Sequence, residues 1–143
     1  LWPTLHYRLG LAHFTRDDYA GYREVNAAFA GALAPLLRPD DMVWTHDFHL
    51  FPMGAELRRR GCRQRLGFFL HVPFPPPAVF AGLPRSAELL ADLAAYDVIG
   101  LQTEDDAAHL RAALAAEGHA EAAERVSAFP IGIDADAFAK LAE

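Results

Sequence analysis

The order of apolar runs predicts an α/β fold: a Rossmann-like parallel sheet flanked by helices. Three observations carry this. Short apolar runs bounded by polar or turn residues recur at 42–45, 66–70, 97–101 and 126–129. Between them lie stretches of helical rather than alternating periodicity. The chain has no internal repeat and no long linker, so the runs belong to one layer with right-handed crossovers.

The opening segment 1–16 holds Pro3, Gly10 and two histidines without a period, and reads as a loop or irregular entry. Asp17 and Asp18 then offer caps for a long helix, in which Tyr22, Val25, Phe29, Leu33 and Leu36 recur at three- and four-residue steps. That helix is expected to end near Arg38-Pro39. The run Met42-Val43-Trp44-Thr45 reads as a buried strand. Pro52 opens a second helix through Glu56, Leu57 and Arg60, which Gly61 closes. Leu66 to Leu70 is a second buried strand, running into His71 and the stretch Pro73-Phe74-Pro75-Pro76-Pro77, which can continue neither a central strand nor a helix. Ser86 is expected to cap a helix through Leu89, Leu90, Leu93 and Tyr96, followed by a strand at 97–101. Thr103 with Asp106 resembles a capping box for an Ala-rich helix that stops at Gly118. A fourth strand at 126–129 leads to Pro130-Ile131-Gly132-Ile133-Asp134, read as a domain edge, with Asp134 capping a further short helix.

Composition narrows the functional classes. With 143 residues, 52% of them hydrophobic, the chain is long enough for one packed core. A formal net charge of −6 argues against nucleic acid as a partner. The cluster Arg58, Arg59, Arg60, Arg63 and Arg65 is expected to form a solvated face at a helix end. Cys62 is the only cysteine; it excludes a disulfide framework and a thiolate-rich zinc site, and fits a reducing cytoplasm. No stretch approaches the roughly 20 apolar residues needed to cross a bilayer, so no membrane partner is expected. The first residues, Leu1-Trp2-Pro3-Thr4, are neither a Met start nor a signal peptide, and the chain is expected to begin within a longer protein.

In open α/β sheets ligands bind beyond the carboxyl ends of the strands. That rule selects 46–49, His71 and 102–104. Asp47 offers two acceptor oxygens for ligand hydroxyls or for a proton; its alternative role is a strand-end cap. His71 could donate to a ligand, or stand as a satisfied core histidine. Trp2 could stack on a ligand face or fill the core. His46 and His49 flank Asp47, but no third ligand is evident, so no metal is expected and His46 is expected to be buried, fixing the loop. No phosphate loop, dinucleotide fingerprint or nucleophile elbow is present.

Taken together, Leu1-Trp2-Pro3 with His6-Tyr7-Arg8, Tyr22-x-x-Val25-Asn26, and Trp44-x-His46-Asp47-Phe48-His49-Leu50 resemble the trehalose-6-phosphate synthase family. So do the runs Gly67-Phe68-Phe69-Leu70-His71-Val72-Pro73-Phe74-Pro75, Tyr96-Asp97-Val98-Ile99-Gly100-Leu101-Gln102-Thr103 and Pro130-Ile131-Gly132-Ile133-Asp134. The resemblance implies a retaining glycosyltransferase with two facing Rossmann-like domains, of which residues 1–133 are part of the N-terminal, acceptor-side one. Residues 134–143 would start the connection to a C-terminal nucleotide-sugar domain.

It further implies transfer of glucose from UDP-glucose, or another nucleotide-glucose, to glucose 6-phosphate, without a cofactor or a metal. Asp47 would engage sugar hydroxyls where acceptor and donor meet, His71 would contact the donor glucose, and Trp2 would border the acceptor. Asp47 and His71 would serve catalysis, with Trp2 serving binding; a homo-oligomer is compatible with this reading. Phe48 stands where the family usually has Tyr, and Ala78 replaces an acidic residue, affecting either the acceptor side or only a helix start. The chain alone is expected to be inactive. Two alternatives remain: a related glucosyltransferase using another phosphorylated acceptor such as glycerol 3-phosphate, and a non-catalytic domain that senses sugar phosphate.

Overall fold

The computed structural model describes residues 1–132 together with Ala139. Four parallel strands form one sheet in the order β1 (Met42–His46), β2 (Arg65–Phe69), β3 (Val98–Leu101) and β4 (Val126–Ala128). Each crossover is helical. α3 (Met53–Arg59) joins β1 to β2, α4 (Pro77–Phe80) and α5 (Ser86–Leu93) join β2 to β3, and α6 (Glu104–Ala116) with α7 (Ala120–Ala123) joins β3 to β4. The register pairs Val43 with Leu66, Phe68 with Ile99, and Ile99 with Val126, so these five residues share one buried face of the sheet. Leu57, Leu89, Leu93, Leu110 and Leu114 pack into the same core from the helices.

The expected α/β architecture and all four strands are present, but several local expectations need correction. Segment 1–16 is not wholly irregular: it contains α1 (Trp2–Leu5), with Pro3 in its first turn, and a 3₁₀ turn at Leu9–Leu11. Elements this short show no periodicity. α2 (Arg16–Leu33) is capped by Thr15, whose Oγ1 accepts from the Asp18 N–H at 3.0 Å. Asp17 and Asp18 instead occupy its first turn, favourable for acidic groups. The α-helix stops at Leu33 and tightens into a 3₁₀ turn at Ala34–Leu36 before reaching Arg38. Ser86 is the first residue of α5 and not its cap; that place belongs to Arg85, which is left-handed at φ 61°. Thr103 does cap α6, accepting from Asp106 N at 3.1 Å. The carboxylate of Asp106 takes the Phe74 N–H at 2.9 Å and so fastens the proline-rich loop to α6. Ile133, Asp134 and the proposed last helix lie outside the described residues.

β1 departs from its expected two-sided burial. Val43 and Thr45 face the core while Met42 and Trp44 are about two-thirds exposed, because among the described residues nothing packs over that face. α2 departs from its expected apolar stripe more instructively. Val25, Phe29 and Leu36 are exposed, and the inward face is Tyr22, Asn26, Ala30 and Leu33. Polar anchors outrank apolar residues here because they find partners inside.

Arg23 is the chief of these anchors. Its guanidinium pairs with Asp92 of α5 and lies 3.9 Å from Glu56 of α3. Glu56 in turn holds Arg59 and Arg60, and Arg60 reaches back to the Ala27 carbonyl on α2 at 2.9 Å. Arg58 donates to the Cys62 and Gln64 carbonyls and to Asp97. Thus Arg59, Arg60, Arg63 and Arg65 are exposed, as expected of the cluster, whereas Arg58 is half-buried, and Arg58 and Arg60 also tie neighbouring segments together.

Burial pushes the Asp92 carboxyl upward against the pull of Arg23. Glu56 goes the other way: although burial opposes its charge, Arg59 and Arg60 hold it below the usual carboxylate range. A carboxylate depressed by folding adds stability above its unfolded pKa and loses it as pH falls through the folded value. Glu56→Gln is therefore expected to lower the chemical-denaturation midpoint most near neutral pH, the gap closing between about pH 5 and pH 3. A gap that stayed constant over that range would contradict this account of Glu56.

Candidate active site at the carboxyl ends of the strands

β1 delivers Asp47 one residue past its end, and β2 delivers His71 two residues past its end. The Asp47 N–H donates to the Phe69 carbonyl at 2.8 Å, which continues the β1–β2 ladder and fixes the two exits side by side. Asp47 itself has φ 68° and ψ 164°. That region is almost the preserve of glycine, and holding another residue there costs on the order of 1–3 kcal/mol. Its Oδ1 accepts from Phe48 N at 3.0 Å, capping a 3₁₀ turn at Phe48–Leu50. Among the described residues Oδ2 has no hydrogen-bond partner. One oxygen orients the carboxylate and the other is left for a ligand.

The Nε2 atom of His71 lies 2.9 Å from Nδ1 of His46, with the rings stacked at 5.2 Å. Such a bond needs one protonated and one bare nitrogen, so the two rings cannot keep it as a pair of imidazoliums. His46 was expected to be buried, but it is exposed and supports His71. Side chains of alternate strand residues share a face, which places Trp44 against His46 at 4.5 Å and Phe69 against His71 at 4.8 Å. A column of four rings therefore borders Asp47. His49 points elsewhere and stacks on Phe48 at 4.0 Å. No group of three or more His, Cys, Asp or Glu among the described residues could hold a metal ion.

Trp2 is not brought into this cluster. It is half-exposed on α1, stacked on His6 at 4.4 Å, and shares no ring contact or hydrogen bond with Asp47 or His71. Phe48 is buried, and Ala78 lies exposed in the first turn of α4, where the sequence change touches a helix start.

Three residues of the site's support stand in the sequence only as helix or motif positions, with no part in the site assigned to them. Tyr22 donates its hydroxyl to the Phe48 carbonyl at 2.7 Å, Asn26 its amide to the His49 carbonyl at 3.1 Å, and Tyr96 its hydroxyl to the Leu50 carbonyl at 2.9 Å. Burial pushes both phenols above their ordinary range, so both remain neutral donors. The available signal was Asn26, a polar residue in the register of the helix's inward face. Beside this support lies a cavity of about 570 Å³ whose walls include Phe14, Tyr19, Tyr22, Phe48, His49 and Arg85.

An open parallel sheet with a strained carboxylate and paired imidazoles at its strand exits defines an α/β domain of the Rossmann-like, ligand-binding kind. The model of glycosyltransferase family 20 matches residues 1–143, and the chain belongs to that family. It is 43% identical over 151 residues to a trehalose-6-phosphate synthase of Cronobacter sakazakii, covering 98% of this chain and 32% of that one.

Two solved structures share the fold. One is a UDP-forming α,α-trehalose-phosphate synthase from Burkholderia xenovorans in complex with glucose-6-phosphate, 38% identical with a TM-score of 0.87 over 99% of this chain and 35% of its own. The other, from E. coli, is bound with UDP-2-fluoro glucose and is 41% identical with a TM-score of 0.87, over 97% of this chain and 33% of its own. The chain thus spans about a third of the length of these relatives.

The strain at Asp47 separates two substitutions that both remove its cap. Asp47→Ala keeps the left-handed backbone without the cap, whereas Asp47→Gly loses the cap and sheds the steric cost. The Gly variant is expected to exceed the Ala variant by about 1 kcal/mol or more in unfolding free energy from denaturant titration. Equal stability of the two would mean that Asp47 is unstrained.

Proposed function

We propose that this chain is part of the acceptor-side, N-terminal domain of a retaining glucosyltransferase that carries glucose from UDP-glucose to glucose 6-phosphate, giving α,α-trehalose 6-phosphate. In this reading residues 1–133 belong to that domain and 134–143 lead toward a nucleotide-sugar domain. Family membership and the substrates named for the relatives support the choice of reaction. The observation that carries it within this chain is Asp47, a carboxylate oriented through Oδ1 with Oδ2 free at the junction of two strand exits.

In the reaction the bond between glucose C1 and the diphosphate oxygen breaks, and UDP leaves with the electron pair. A new bond forms on the same face between C1 and the acceptor hydroxyl, whose proton departs with the released diphosphate. The transition state resembles an oxocarbenium ion, which gains from nearby fixed negative charge and oriented hydrogen bonds rather than from an attacking side chain. Asp47 supplies the charge and accepts from sugar hydroxyls. His71, with Nε2 engaged by His46, presents its remaining ring nitrogen to the donor glucose. Trp2, already half-exposed, forms a wall of the acceptor pocket.

The test uses a polypeptide carrying this chain together with the other two thirds of the relatives' length. UDP release from UDP-glucose is expected with glucose 6-phosphate and not with glycerol 3-phosphate, with trehalose 6-phosphate as product. Asp47→Ala should lower turnover at least about a hundredfold, the scale of losing one preorganised polar contact. His71→Ala should raise the KM for UDP-glucose with little change for the acceptor. Undiminished transfer by a folded Asp47→Ala protein would remove the role assigned to it, and binding of glucose 6-phosphate without turnover would point to a sensing domain.

A further inference from the structure

Three consecutive carbonyls follow Asp47, and each is taken by a different side chain. Phe48 O receives the Tyr22 hydroxyl, His49 O the Asn26 amide and Leu50 O the Tyr96 hydroxyl. Two donors come from α2 and the third from the segment after α5, so separate parts of the chain converge on one three-residue turn. Pro52 follows closely and brings no N–H to this stretch, which leaves room for side-chain donors.

The turn begins at the one residue of the strand exits with a left-handed backbone. If the turn relaxed, Asp47 would be the first residue free to leave that conformation, and its carboxylate would turn with it. We propose that Tyr22, Asn26 and Tyr96 form a clamp that positions Asp47 for sugar binding. The proposal rests on the reading of Asp47 given above.

Two further features separate a clamp from incidental hydrogen bonding. Asn26 is fully buried, and its Oδ1 has no partner. An apolar residue at that place on α2 would pack without leaving a buried acceptor unpaired, so the amide is of use for what its Nδ2 reaches, the His49 and Tyr22 carbonyls. The Tyr96 hydroxyl also accepts the Gly54 N–H at 2.9 Å. A Cβ at position 54 would lie 2.7 Å from the Tyr96 ring, so Gly54 is what lets the phenol reach Leu50 O.

The test is Tyr22→Phe, which removes one clamp hydrogen bond and keeps the ring, in the same extended polypeptide. Hydrogen exchange followed by mass spectrometry should show about tenfold faster exchange confined to residues 47–51, the factor for one net hydrogen bond. The turnover number should fall about tenfold with both KM values within about twofold of wild type. In the double variant with Asp47→Ala, turnover should be no lower than in Asp47→Ala alone, because the clamp acts only through Asp47.

Unchanged exchange at 47–51, or faster exchange spread over the whole chain, would overturn the clamp. So would additive losses in the double variant. Tyr96→Phe, which also deletes only a hydroxyl, should accelerate exchange in the same segment and serves if Tyr22→Phe does not fold. The exchange result stands whatever the substrate is. A protein with the local acceleration but no glucosyl transfer would retain the clamp and lose the reading of the reaction.

Discussion

The Arg23 guanidinium, set between Asp92 of α5 and Glu56 of α3, governs how α2 lies against the rest of the domain, and the strand exits depend on that placement. Apolar contact alone would hold the helix near the core while leaving its rotation loosely specified. A paired guanidinium is directional, and removing it would strand the Asp92 carboxylate, which is nearly inaccessible, at a cost on the order of 3–5 kcal/mol. With Arg23 fixed, the neighbours one position before and three after, Tyr22 and Asn26, face the Phe48–Leu50 turn. Val25, which lines the cavity beside Tyr22 and Asn26, and Phe29 are left exposed at the edge of the same face.

This arrangement explains which features could be seen in the sequence. The strands were legible because each is a short apolar run between polar or turn residues, and the α6 start because Thr103 stands three residues before the N–H it caps. Gly61, at φ 81°, closes α3 where a helix-ending glycine was expected. The inward face of α2 was misread because counting apolar residues selects Val25 and Phe29, whereas the burial of Arg23 and Asn26 depends on partners 30 or more residues away for Arg23 and on a carbonyl of the turn for Asn26. The tie of Arg58 to Asp97 and that of Arg60 to the Ala27 carbonyl were hidden for the same reason, since each acceptor lies more than 30 residues away.

At the site, Asp47 and His71 were found by asking which ionisable residues follow strands, and the structure does place them at neighbouring exits. The conformation of Asp47 was not legible, since an aspartate at φ 68° looks in sequence like any other strand-end aspartate. The pairing of His46 with His71 was hidden likewise, because it arises from the register that sets His46 beside Phe69 and not from local spacing.

Why an aspartate should occupy a glycine-like conformation follows from comparing magnitudes. The strain of about 1–3 kcal/mol is of the same order as the summed gain from a few buried hydrogen bonds at about 1 kcal/mol each. The ladder bond to Phe69, the cap to Phe48 and the bonds donated by Tyr22, Asn26 and Tyr96 are therefore together sufficient to hold it. A glycine there would satisfy the backbone at no steric cost but would leave no carboxylate at the strand exit. The extended ψ following a positive φ turns the chain sharply out of β1, so that Oδ1 can meet the next N–H while Oδ2 stays open. The same backbone angle thus sets both the direction of the turn and the orientation of the acceptor oxygen, which makes the strain a condition of the geometry rather than a flaw in it.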